Sequence, residues 1–371
     1  MINLTNIYLD KKIATEVQKV LLSKSLVQGE KVRELEAEMS KVNETRYAVV
    51  VNSGTAALHT ALVAIGLREG DEVITTPFSF IATVNTILMC KAKPVFIDVN
   101  KETFTIDPDL IEDRISKKTK AIVTVDLYGQ TCDYKKISKI AKKYNLKIIS
   151  DSCQAIGAMY KSKPIAKWVD IACFSFYATK NIMMGEGGAL VTNNRKVFEF
   201  AKRFRQHGQD MEKPYFYHHL GYNYRSTDIL AVIGLSQIKF LKKWTKQRYD
   251  NACKLIKGLK GIPGIITPNL RVEGEHVFHQ FTIRITKDYP LLRDQLRSYL
   301  FDHGVRSGVY YPCVLAEYPF IKEIIPYNKD MYPVAEELSS QVLSLPVHPM
   351  LKNSEIKKIV SLIKKGANEK N

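Results

Sequence analysis

The sequence predicts an α/β protein: a large, mainly parallel sheet followed by a smaller C-terminal α/β part. Three observations predict it. Between about residues 45 and 195, short apolar runs alternate with helix-period segments, the pattern of a parallel sheet covered on both faces. A long helical stretch follows and is broken at Gly261-Ile262-Pro263-Gly264. Beyond it the pattern turns to one strand and several helices. A chain of 371 residues exceeds one small domain. The expected division is a large domain over 1–250, its N-terminal segment packing on the other part, and a small one over 251–371.

Tyr47–Val51 reads as a strand. Leu58, Ala61, Leu62 and Ile65 follow with helical spacing, ended by Gly66. Glu72–Thr75 and Pro94–Asp98 are strand-like, with a helix between. Lys120–Val125 reads as a strand, Tyr134–Tyr144 as an amphipathic helix and Leu146–Ser150 as a strand. Ile171–Phe176 and Ala189–Thr192 complete the series. Helix is expected from Asp228 to Leu259, then a strand over Val277–Ile285 and helices near 288–302, 333–342 and 354–365.

Composition narrows the function classes. With 45% apolar and 25% charged residues the chain is ordinary for a globular protein. No apolar run reaches about 18 residues, so no membrane span is expected. The opening Met1-Ile2-Asn3-Leu4-Thr5 lacks the layout of a signal peptide, and a cytoplasmic location is expected. Six scattered cysteines form no CxxC pair, which argues for reduced thiols and against zinc. Cys153 and Cys173 read as small buried hydrophobes rather than nucleophiles. The net charge of +17 admits nucleic acid or small anions as partners. The lysines spread along the whole chain, so a solvated surface is the better reading and no nucleic acid partner is expected. His218-His219, His276 and His279 lack ligand spacing, and no metal is expected.

Four segments at strand ends carry the chemistry, since ligands of open α/β sheets bind beyond the carboxyl ends of strands. Asn52-Ser53-Gly54-Thr55-Ala56 opens a helix, where free N–H groups and the helix dipole favour a phosphate; a plain Ser or Thr cap fits as well. Asp151 ends a buried strand and needs a partner, because an unpaired buried charge is costly. The pyridinium nitrogen of pyridoxal phosphate (PLP) would supply one, and Gln154 is near enough to share that pocket. A helix N-cap is the competing reading for Asp151. Phe174-Ser175-Phe176-Tyr177-Ala178-Thr179-Lys180-Asn181 precedes the glycine-rich Gly185-Glu186-Gly187-Gly188. There Lys180 suits a Schiff-base lysine and Ser175 a phosphate ligand; an ordinary surface lysine is the alternative. Gly221-Tyr222-Asn223-Tyr224-Arg225-Ser226-Thr227-Asp228 suits a binding turn or a simple cap at Ser226 or Thr227.

These segments, in this order, resemble the DegT/DnrJ/EryC1/StrS family of sugar aminotransferases. Further matches are Gly70-Asp71-Glu72-Val73-Ile74, Leu127-Tyr128-Gly129-Gln130, Asp151-Ser152-Cys153-Gln154-Ala155 and Leu343-Ser344-Leu345-Pro346. The resemblance covers nearly the whole chain. It implies the fold-type I PLP-dependent transferase architecture and transfer of an amino group from L-glutamate to a nucleotide-linked keto sugar. It implies Lys180 as the Schiff base and proton shuttle, Asp151 as the pyridinium partner and Gln154 beside the ring's phenolic oxygen. Phe80 falls where the family stacks an aromatic ring on the cofactor, and Gly54, Thr55 and Ser175 match phosphate contacts. Asn223 matches a phosphate contact donated by the neighbouring subunit, so a homodimer with shared sites is implied. The rivals are a PLP-dependent sugar dehydratase, whose relatives lack the lysine, and a PLP-holding regulator without turnover. The chain departs from many relatives at Ile156, where they have His, and near Ala166, where they have Gly. It also departs after Tyr310-Tyr311-Pro312. Ile156 and the latter stretch are expected near the substrate.

Overall fold

The structure, a computed structural model, describes residues 1–269 and 275–367. Two helices come first, α1 (Lys11–Ser23) and α2 (Glu30–Val42). The large sheet then forms from β1 (Tyr47–Val51), β2 (Glu72–Thr75), β3 (Lys93–Phe96), β4 (Thr119–Val125) and β5 (Lys147–Asp151). Helices α3 (Gly54–Ala64), α4 (Ala82–Met89) and α5 (Tyr134–Tyr144) fall between these strands. A hairpin of β6 (Met159–Tyr160) and β7 (Lys163–Pro164) precedes β8 (Ile171–Ser175) and β9 (Gly188–Thr192). The seven strands run in the order β1-β9-β8-β5-β4-β2-β3.

Every neighbouring pair in this sheet is parallel except those made by β9, which is antiparallel to both β1 and β8. The sheet is therefore mainly parallel with one reversed strand. Side chains alternate between two covered faces along β1, as the two-residue strand period requires. Val49 and Val51 pack with α3, while Ala48 and Val50 pack under α2.

After α6 (Arg195–Phe204), the expected single helix is two, α7 (Asp228–Ile238) and α8 (Leu241–Leu259). Asp228, the first residue of α7, caps a different helix. Its carboxylate accepts from the N–H groups of Gly29 and Val32, filling two orphan donors at the start of α2. The remaining elements are β10 (Ile265–Ile266), β11 (Phe281–Ile285), α9 (Arg293–Asp302), α10 (Pro319–Lys322), α11 (Pro333–Gln341), β12 (Val342–Leu345) and α12 (Asn353–Gly366). The strand expected from Val277 starts only at Phe281, because residues 277–280 make irregular contacts with the Tyr128–Gln130 turn instead. Strands β10, β11 and β12 form a separate antiparallel sheet. Its core joins α8, α9 and α12, and takes in Ile2 from the N-terminus. A further cluster sets Val314, Leu338 and Val342 against Phe78, Phe96 and Tyr128, closing the C-terminal part onto the large sheet. Among the described residues, no helix is long and apolar enough to cross a membrane.

His59, on α3, is buried with its Nδ1 3.0 Å from the Tyr224 hydroxyl. Burial pushes its pKa down to about 4, against about 6.5 in an unfolded chain. Between those values the unfolded chain binds more protons, so the stability from His59 is complete above about pH 6.5 and is lost as pH falls toward 4. Urea denaturation from pH 7 to 4 should show this decline, and His59→Gln should flatten it. An identical pH slope in the variant would assign the acid sensitivity elsewhere.

Candidate active site

The carboxyl ends of the parallel strands open into a cavity of about 500 Å³. Gly54, Thr55, Phe80, Asp151, Gln154, Ser175 and Lys180 all line it. The sheet order explains why such distant segments meet. Register places Gly188, the first residue of β9, beside Val51 on one flank and Ser175 on the other. A Cβ at Gly188 would stand 2.3 Å from the Ser53 carbonyl oxygen, so only glycine lets the Ser53–Gly54 turn lie across it. A Cβ at Gly54 would in turn lie 2.8 Å from Cys153 Sγ and 2.9 Å from Ser175 Cβ.

Helix α3 starts at this turn. The Ser53 hydroxyl accepts from the Ala56 N–H at 3.1 Å, so the cap reading of Ser53 holds. Gly54 and Thr55 occupy the first helical positions, where N–H groups have no intrahelical acceptor. Their bare backbone, the Ser175 side chain and the dipole end of α3 form one small concavity suited to a phosphate.

Asp151 is the last residue of β5 and is 6% exposed. Its Oδ2 accepts from Thr83 Oγ1 at 2.7 Å and its Oδ1 from the Cys153 N–H at 3.2 Å. It caps no helix and is in no ion pair among the described residues. A buried carboxylate with spare acceptor capacity and no cation suits a protonated ring nitrogen.

Lys180 sits on the excursion between β8 and β9. That loop is pinned at its base, where the Phe176 N–H donates to the Gly187 carbonyl at 2.8 Å and the Met184 N–H to the Phe176 carbonyl at 2.9 Å. Burial lowers the Lys180 pKa, against opposing pulls from Cys153 and Asp151. A neutral amine is both nucleophile and base. Burial and the Asp151 charge push the Cys153 and Cys173 thiols well up, so neither is a thiolate.

Gln154 is fixed at both ends of its amide. Its Oε1 accepts from the Tyr128 N–H at 2.8 Å, and its Nε2 donates to the Tyr311 hydroxyl at 3.4 Å. Tyr128 adopts φ +59°, a left-handed conformation rare for a side-chain-bearing residue. Phe80 is half-exposed, its ring centroid 6.2 Å from that of Tyr311.

Asn223 is exposed and does not line the cavity of its own chain. Its carbonyl accepts from Asn52 Nδ2 at 3.3 Å, which places it behind the phosphate turn. The cap in that segment is Thr227, which accepts from the Leu230 N–H. Ile156 is buried in the core between the large sheet and its helices, not in the cavity, so its expected place near a substrate is corrected. Tyr310 and Tyr311 do line the cavity. Thr83, Tyr128 and His279 went unread as site residues. In the sequence His279 stands out only as one of several scattered histidines, and Thr83 carries no local signal. His279 lines the cavity and bonds through Nδ1 to Asn181 Oδ1 at 3.3 Å. Burial, with Lys180, Arg248 and His276 nearby, holds it neutral. Among the described residues, no three His, Cys, Asp or Glu gather to hold a metal ion.

The donor set suits a flat cofactor bearing a phosphate at one end, a basic ring nitrogen and an aldehyde within reach of a lysine. Comparisons with known proteins agree. Residues 8–364 match the DegT/DnrJ/EryC1/StrS aminotransferase family. The chain is 38% identical over 370 residues to a pleiotropic regulatory protein of Geobacillus stearothermophilus, covering 98% of this chain and 97% of that one. It is 34% identical over 355 residues to UDP-2-acetamido-2-deoxy-3-oxo-D-glucuronate aminotransferase of Pseudomonas aeruginosa, covering 95% of each. Spr1654 of Streptococcus pneumoniae in its PLP form superposes with a TM-score of 0.91 at 28% identity, covering 98% of both chains. With its strand-end lysine and its buried carboxylate in one pocket, the chain belongs to the DegT/DnrJ/EryC1/StrS family and is a PLP-dependent aminotransferase.

Proposed function

We propose that this protein moves an amino group from L-glutamate to a nucleotide-linked keto sugar, in the cytoplasm, for amino-sugar or polysaccharide synthesis. The observation that carries the reading is the cavity shared by Lys180 and Asp151. The Pseudomonas aeruginosa relative, named for a UDP-linked oxo sugar, supports the substrate class. Residues 1–250 would hold the cofactor and residues 251–371 cover it.

Gly54, Thr55 and Ser175 would hold the phosphate, Asp151 the ring nitrogen and Phe80 one ring face. Gln154 would lie beside the phenolic oxygen. Bound PLP supplies the electron sink for the carbanion left when the donor loses its α-proton. Lys180 Nζ, kept unprotonated by burial, would take that proton and return it to the cofactor carbon. Asp151 would keep the ring nitrogen charged, its carboxylate held still by Thr83 and the Cys153 N–H. The Tyr128 N–H leaves Gln154 only one way to point its amide. A PLP-holding regulator is the second reading, motivated by the name of the Geobacillus stearothermophilus relative. Mass spectrometry of purified protein incubated with L-glutamate and UDP-, dTDP- or GDP-linked keto sugars separates the two, since a regulator yields no aminated product.

Lys180→Ala should abolish transamination while circular dichroism and thermal unfolding stay near wild type; retained turnover would end its assignment. Asp151→Asn should slow the single-turnover reaction with glutamate by orders of magnitude, because a neutral partner no longer holds the ring nitrogen protonated. A wild-type rate would remove Asp151 from that role. Asn223 is proposed to close the phosphate site of a partner subunit in a homodimer. Mixing inactive Lys180→Ala with a crippled Asn223→Asp variant, with subunit exchange verified by differential tags, should then restore activity. Confirmed mixed dimers without activity would confine Asn223 to its own subunit.

A further inference from the structure

The buried imidazole of His59 has no part in the chemistry above. It is 2% exposed and does not line the catalytic cavity. It lies on α3, the helix that opens at the phosphate turn. Its one side-chain hydrogen bond among the described residues is the 3.0 Å contact of Nδ1 with the Tyr224 hydroxyl. The Tyr222 and Tyr224 rings stack on each other at 5.0 Å, and both meet the imidazole edge-on, at 5.2 and 5.9 Å.

These two tyrosines flank Asn223. The backbone there is extended and held on both sides. The Tyr222 N–H donates to the Phe204 carbonyl at 2.8 Å and the Tyr224 N–H to the Arg205 carbonyl at 2.9 Å. The Tyr224 carbonyl in turn accepts from the Asn52 N–H at 2.9 Å. Neighbouring side chains of an extended segment point to opposite sides. With Tyr222 and Tyr224 both turned onto His59, Asn223 must face away from it. Asn223 is exposed, and its side-chain amide bonds to nothing among the described residues. A slip of one residue would bring Asn223 onto His59 and turn both tyrosines to solvent. An apolar side chain would fill the box, but burying an imidazole costs desolvation, which the bond recovers only with the phenol in place.

We infer that His59 is a positioning residue: by holding Tyr222 and Tyr224 it fixes the direction in which Asn223 is presented to the phosphate site of the partner subunit. This rests on the reading of Asn223 given above. The effect of His59 is therefore felt in the site of the other chain, not in its own.

The test uses PLP-loaded mixed dimers in which one chain carries Lys180→Ala and the other Asn223→Asp. Their single intact site combines the lysine of the second chain with Asn223 of the first, and the absorbance of lysine-bound PLP reports that site alone. Tyr224→Phe, which deletes the bond and keeps the ring, is added to either chain, and PLP loss on dilution is followed. On the Lys180→Ala chain it should speed the loss about fivefold, the worth of one hydrogen bond. On the other chain its segment faces only the dead site and the rate should stay put. His59→Leu should repeat the pattern, and His59→Asn, whose amide reaches the place of Nδ1, should restore slow loss. If His59→Leu fails to fold, Tyr224→Phe carries the test. Equal effects from both placements, an effect only on the lysine-bearing chain, or none from either would overturn the assignment. A parent pair that forms mixed dimers yet stays inactive removes the Asn223 reading and this inference with it. An active parent pair without the placement effect removes this inference alone.

Discussion

Asp151 is buried at the carboxyl end of β5 with two hydrogen-bond donors and, among the described residues, no cation in ion-pair contact. A carboxylate so placed is tolerated when something else completes its charge balance. The rest of the pocket can be read as provision for that. Thr83 reaches it from α4, a helix that follows a different strand, and the Ser79 hydroxyl lies 2.9 Å from Thr83 Oγ1. Lys180 is near enough to feel the charge without pairing with it. Were the two in direct contact, the amine would be locked as a cation and lose its basicity. Their separation keeps an acceptor for a ring nitrogen and a base for a proton in one cavity.

A second dependence is backbone proximity. The phosphate turn and the lysine excursion belong to strands that do not touch, β1 and β8, and reversed β9 stands between them. Gly188 sits where both must pass. The φ +59° of Tyr128 serves a similar end on the far wall, since it aims an N–H at Gln154. At both positions demanding backbone fixes groups that line the cavity.

Much of this was legible in the sequence, for reasons that differ by residue. The strands β1, β2, β4, β5 and β8 announce themselves as short apolar runs because both of their faces are buried. Asp151 and Ser175, at strand ends, and Lys180, on the loop beyond β8, stand out because such side chains are unusual at those places. The direction of β9 was not legible, since an apolar run looks the same read either way across a sheet. Helices α1 and α2 went unread. Thr83 and Tyr128 hold their site partners through hydrogen bonds made across long sequence separations, and neither residue type is rare in a helix or a turn. Asn223 is a different case: its sequence signal is clear, but it is exposed and lies outside its own chain's cavity.

The pairing of β1 has a consequence for how the chain is made. Its partner β9 joins through contacts such as Val51 with Gly188, so on the ribosome β1 waits on the order of ten seconds for its neighbour to be synthesised. Throughout that wait Tyr47-Ala48-Val49-Val50-Val51 is a short, apolar, unpaired edge, the kind of segment that recruits other chains. Helix α2 is complete before β1 and holds it through the Glu36 carboxylate, which accepts from the Val50 N–H at 3.0 Å. The early helix thus acts as a temporary cover, and newly made protein that aggregates should do so through the strand that is first in sequence and last to find its place.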